Sequence, residues 1–122
     1  MRIWVDWNGQ IVAAVDEDGV LLGHRGSPHG MTVWGELDAI ELGSQIGPNG
    51  AAILCDNINA VKVVNGKSPR FDAGYIDRGK EVSKQLDEKD QIAVWIPRES
   101  NKADGAIRDL VDQWTGGRHG PQ

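Results

Sequence analysis

Three acidic side chains in this sequence stand where carboxylates can gather a metal ion. Asp6 follows the apolar run Ile3-Trp4-Val5, Asp56 follows the wholly apolar Ala51–Cys55, and Glu36 falls near the start of a helical stretch. Both aspartates close β-type runs, and open sheets bind ligands just beyond such strand ends. Carboxylates brought together repel one another unless a cation joins them, so convergence here predicts a metal site. All-oxygen ligation selects Mg²⁺ or Mn²⁺ over zinc. Each acid also has an ordinary alternative: Asp56, for one, is equally suited to cap a helix that starts at Asn57.

The elements that would position these residues can be read from punctuation and periodicity. Arg2–Asp6 is β-rich, Asn8-Gly9 is a strong hairpin signal, and Ile11–Val15 and Val20–His24 continue an antiparallel meander. Arg25–Met31, rich in Gly, Pro and His, reads as a loop. Thr32 is a candidate cap for a helix to about Ile46 carrying Val33, Trp34, Leu37 and Ile40. Ala51–Cys55 has the composition of a buried central strand, followed by a short helix to Asn65 with Gly66 as its left-handed terminator. Tyr75, Gly79, Val82 and Leu86 recur at helical spacing, Gln91–Ile96 is a fifth strand, and Ala103 to Trp114 is a strongly periodic last helix. The order β-β-β-α-β-α-α-β-α predicts an α/β fold, a mixed five-stranded sheet with helices packed on it. It occupies residues 1–114, with 115–122 as a flexible tail.

Composition narrows the function classes. With 122 residues, 39% apolar and 25% charged, the chain has a single domain's core and no signature of disorder. The one cysteine, Cys55, excludes an internal disulfide, and its four apolar predecessors suggest an inert buried thiol. The sequence carries no membrane-length apolar run, so the expectation is a soluble, cytoplasmic protein. Net charge is −5 but unevenly spread. Residues 1–56 hold Arg2 and Arg25 against eight acids, while 57–80 hold Lys62, Lys67, Arg70, Arg78 and Lys80 against Asp72 and Asp77. An acidic part beside a basic stretch suits a metal site flanked by a phosphate-binding surface, with Lys62, Lys67 and Arg70 the best phosphate contacts.

Four strings taken together resemble the ribonuclease H family. They are Ile3-Trp4-Val5-Asp6, Trp34-Gly35-Glu36-Leu37, Ile53-Leu54-Cys55-Asp56-Asn57, and Trp95-Ile96-Pro97-Arg98-Glu99-Ser100-Asn101-Lys102-Ala103-Asp104. The resemblance covers about residues 1–112. It implies a ribonuclease H-like fold and a catalytic and metal-binding quartet of Asp6, Glu36, Asp56 and Asp104. It further implies two Mg²⁺ or Mn²⁺ ions and cleavage of the RNA strand of an RNA–DNA hybrid. The hairpin at Asn8-Gly9 is shorter than the family's 2′-hydroxyl-contacting loop, so contacts from Trp7, Asn8 or Asn57 are expected to replace it, although Trp7 is better suited to packing. The same shortening leaves open a DNA nuclease or junction resolvase of this superfamily. Asn101 stands three residues before Asp104 instead of the family's four, which leaves open a catalytically silent nucleic-acid-binding domain. A helical wheel centred on Leu37 puts Glu41 about 40° and Glu36 about 100° from the apolar face, so Glu41 competes with Glu36; the family pattern selects Glu36.

Overall fold

The computed structural model describes residues 1–67 and 73–115; Arg70 and the segment 116–122 lie outside the described residues. The elements are β1 (Arg2–Trp7), β2 (Ile11–Val15), β3 (Leu21–Gly26), α1 (Thr32–Ile46), β4 (Ala52–Cys55), α2 (Ile58–Val64), α3 (Ala73–Glu88), β5 (Ile92–Trp95), a 3₁₀ turn (Arg98–Ser100) and α4 (Lys102–Thr115). The order along the chain is the expected one. The sheet runs β3-β2-β1-β4-β5, with β1 antiparallel to β2 and parallel to β4.

Alternation along the central strands sends side chains to two separate cores. Ile3, Val5, Val12, Ile53 and Cys55 pack under Leu37 and Ile40 of α1 and under α2 and α3. Trp4, Val15 and Leu54 meet Ala103 of α4 on the opposite face, where Ile11 and Ala13 meet Ile107 and Leu110. The central strands are therefore buried on both sides, as their unbroken apolar runs require. Two glycines let α1 lie close on the sheet. A Cβ at Gly43 would stand 2.7 Å from Val5, and one at Gly35 would stand 2.1 Å from the Trp7 ring. That close approach carries Glu36 to the C-terminal ends of β1 and β4.

Local details differ from the sequence reading at three places. The strand β3 extends through Arg25 and Gly26, which pair with Val12 and Ile11. An edge strand needs backbone partners more than buried side chains, so its Gly-rich composition did not prevent it. Met31, not Thr32, occupies the cap position of α1, with no side-chain cap bond. Asn57 caps α2, its Oδ1 accepting from the Ala60 N–H at 2.9 Å, which leaves Asp56 outside that role. Gly66 takes φ +71° at the end of α2, the left-handed terminator expected of it. Among the described residues no helix is long and apolar enough to cross a membrane.

Candidate metal centre

The register of β1 and β4 brings the first two acids together. Val5 is level with Cys55 in the parallel pair, so Asp6 and Asp56 emerge side by side at the C-terminal ends of adjacent strands. Glu36 reaches them from the second turn of α1. One ligand atom from each of Asp6, Glu36 and Asp56 lies within 4.8 Å of the others. Glu36 is 3% exposed and Asp6 9%. Glu36 Oε2 accepts from the Cys55 thiol at 3.6 Å, while its Oε1 is buried with no hydrogen-bond partner among the described residues.

The electrostatics match this geometry. Burial, then the Asp56 charge, pushes the Asp6 carboxyl up to about 7. Burial, then Asp6 and Asp56, pushes Glu36 up to about 8. Arg98 and the Trp7 backbone N–H pull the other way at Asp6 without prevailing. A buried carboxylate oxygen without a partner, beside two more carboxylates, is a costly arrangement for the protein alone. A hard divalent cation resolves it, because oxygen donors are what Mg²⁺ and Mn²⁺ prefer. The donor set fits such an ion.

Further side chains hold the acids in place. Asn101 donates from Nδ2 to Asp56 Oδ2 at 3.0 Å and to the Val5 carbonyl at 2.9 Å, and its Oδ1 accepts from the Ala103 N–H. One buried side chain thus ties together β1, β4 and the start of α4. The Trp95 indole donates to the Asp56 carbonyl at 3.1 Å. The acids floor a cleft of about 270 Å³ walled by Trp7, Asn8, Thr32, Asn57 and Arg98.

Other residues singled out from the sequence are placed as follows. Asp104 stands outside the three-acid group and pairs with Arg108 one turn along α4, yet it is near enough for its charge to raise Asp6. Glu41 is remote from the acids, engaged by Arg25, Arg78 and Gln85. Asn8 lines the cleft, with its Oδ1 accepting from the N–H groups of Gln10 and Ile11 in the β1–β2 turn. Asn57 lines it too. Lys62 and Lys67 are exposed and are not cleft-lining residues. Trp7 packs on Gly35 and donates its indole N–H to the Ser27 carbonyl at 2.8 Å, a packing role. Sequence reasoning did not single out Arg98, Asn101 or Cys55 for the site. The first two lie in the Pro97–Asp104 string that carried the resemblance, so their signal was present; Cys55 gave none beyond its burial.

No protein-family model matches the sequence, and no curated protein matches it either. Among solved structures the chain is similar to the N-terminal RNase H domain of a Mycobacterium tuberculosis protein, solved as a fusion with maltose-binding protein. The likeness has a TM-score of 0.61 at 16% sequence identity and covers 89% of this chain and 96% of that one. The fold is ribonuclease H-like.

Proposed function

We propose that this chain is a metal-dependent endonuclease that hydrolyses the RNA strand of RNA–DNA hybrids. The observation that carries the reading is the convergence of Asp6, Glu36 and Asp56 around a buried Glu36 oxygen that has no hydrogen-bond partner among the described residues. The likeness of the fold to an RNase H domain supports it. Asp6, Glu36 and Asp56 would hold Mg²⁺ or Mn²⁺, with Asp104 completing the set for two ions. When bound, such ions would supply Lewis-acid activation of water and charge stabilisation at the leaving oxygen.

The chain's own residues supply position and charge. Asn101 fixes the orientation of Asp56 through a hydrogen bond to one of its oxygens. Arg98, on the cleft wall, is the cation among the cleft-lining residues and could meet a scissile phosphate. Asn8 Oδ1 accepts from two backbone N–H groups and Asn57 Oδ1 from one, so Nδ2 of each is available to donate to a 2′-hydroxyl or a phosphate oxygen. Lys62, Lys67 and Arg70 follow the Asp56 strand end along the chain and would track the backbone of the duplex. The Asp104–Arg108 pair is solvent-exposed and therefore weak, which leaves Asp104 free to turn toward the ions.

The tight turn at Asn8–Gln10 favours a second reading, a DNA nuclease or junction resolvase, because it offers little backbone for reading 2′-hydroxyls. A cleavage assay with Mg²⁺ or Mn²⁺ separates the two. Labelled hybrid, double-stranded RNA, duplex DNA and a four-way junction are offered in parallel, with an Asp56→Asn control. Cutting of the RNA strand of the hybrid is expected. Cutting of the junction or duplex DNA with the hybrid intact selects the second reading, and no cutting at all with metal bound points to a silent binding domain.

A further inference from the structure

Resting on the metal-centre reading above, we infer that Cys55 is a positioning residue: its thiol holds one oxygen of Glu36 so that the other faces the ion. Glu36 differs from its two partners in how it reaches the site. Asp6 and Asp56 sit on strand ends whose backbone is locked by the sheet, and Asp56 is further fixed by Asn101. Glu36 comes from α1 on a longer side chain with more torsions to fix. Its side-chain donor is the Cys55 thiol, 3.6 Å from Oε2; the Trp7 backbone N–H is shared with Asp6.

Cys55 is placed for this by strand alternation. It is fully buried on the α1 face of β4, immediately before the ligand Asp56. Ala or Val at this position would leave Oε2 buried without that donor, which costs free energy and lets the carboxylate rotate. A thiol is a weak donor, so it fixes the oxygen while leaving most of the negative charge available to a cation. The arrangement divides the labour within one carboxylate: Oε2 is held by Cys55, and Oε1 has no hydrogen-bond partner among the described residues. Outer groups of this kind orient metal ligands elsewhere, and their loss weakens metal affinity.

The test is a double-mutant cycle read by Mn²⁺ affinity, measured by calorimetry and not by turnover. Cys55→Ala is expected to weaken Mn²⁺ binding about tenfold, the lower end of outer-group effects. Cys55→Val restores volume without a donor and is expected to lose as much. Cys55→Ser supplies a hydroxyl donor and is expected to stay within about threefold of wild type, since the hydrogen bond is retained. In a Glu36→Gln background, Cys55→Ala should add less than a twofold change, because the pair acts as one unit. The inference is overturned if Cys55→Val binds Mn²⁺ like wild type, if serine loses as much as valine, or if the Cys55→Ala loss persists undiminished beside Glu36→Gln. Absence of Mn²⁺ binding by wild type would instead remove the metal reading, and the inference with it.

Discussion

Two glutamates five residues apart on α1 meet opposite fates. Glu36 lies among carboxylates, with a thiol for a neighbour, and its proton is retained up to about pH 8. Glu41 lies between Arg25 at 2.6 Å and Arg78 at 2.9 Å, with Gln85 donating at 3.0 Å. The Arg78 hydrogen bond, aided by Gln85 and Arg25 against the pull of burial, holds its carboxyl down at about 2. Asp38 belongs to the same network, bonded by Ser27, His29 and Arg78. Both regions are largely buried and both are acidic on α1. The difference is that one set is ion-paired to arginines from α3 and β3, whereas among the described residues the other has only the Arg98 charge near Asp6, which burial and the neighbouring acids outweigh. The first is a staple between layers, and the second is a group of acids that could hold a metal ion.

The largest effect that separates the regions is on activity. Glu36→Gln is expected to lower metal-dependent cleavage about a thousandfold or more, because it removes a ligand from ions worth several kcal/mol to the transition state. Glu41→Gln should keep most of the cleavage and show its loss in thermal stability. The reverse pattern, read from initial rates on the hybrid, would place the ligand one and a half turns further along α1 and break the comparison.

Stability against pH should differ in sign. In the unfolded chain Asp6 and Glu36 ionise near pH 4, whereas in the fold they keep protons up to about 7 and 8. Between these limits the native state binds more protons than the unfolded one, so these groups make stability fall as pH rises. Glu41 works the other way: its contribution is complete above about pH 4.5 and is lost as pH falls toward about 2. Melting in chelator should therefore peak near pH 4–5 and decline toward pH 8, and Mn²⁺ should remove most of the decline. A profile in chelator that rises steadily to pH 8 would contradict the raised pair.

A smaller effect is expected from Arg78→Met. It leaves Asp38 and Glu41 with one cation fewer and should cost about 2–3 kcal/mol, at or below the range for breaking buried pairs because the site is partly wet. Urea denaturation checks this, and Mn²⁺ affinity should be unchanged within about twofold since the residue is in the other region. A loss of metal affinity comparable to that of a ligand variant would show the two regions to be coupled.

Much of this was legible in the sequence because it depends on short-range order. Asp6 and Asp56 are marked by the apolar runs before them, and the element order follows from turn residues and periodicity. The Glu36–Glu41 ambiguity could not be settled by a helical wheel, which measures angle to the apolar stripe and not what stands opposite. The arginine that claims Glu41 from α3 is 37 residues away along the chain. Asn57 took the cap that Asp56 could have taken, a choice between neighbours that composition leaves even. Cys55 read as inert because burial was all the sequence showed; its partner is set by how closely Gly35 and Gly43 let α1 approach the sheet. Asp104 is one residue nearer Asn101 than the resemblance leads one to expect, and its partner, Arg108, is fixed only by the helix phase from that start.

The most direct test of the central claim is the melting temperature at pH 8 with and without Mn²⁺, for wild type and for Asp6→Asn/Asp56→Asn. An ion that binds only the folded acid cluster at a hundred times its dissociation constant adds about 2.7 kcal/mol, or roughly 5–15 °C for a domain of this size. Wild type should show that rise. The double variant should show none, and in chelator it should melt above wild type, because two clustered repelling charges have been removed. A wild-type curve unmoved by millimolar Mn²⁺, or a double variant that melts below wild type in chelator, would contradict the claim that these carboxylates form a metal centre.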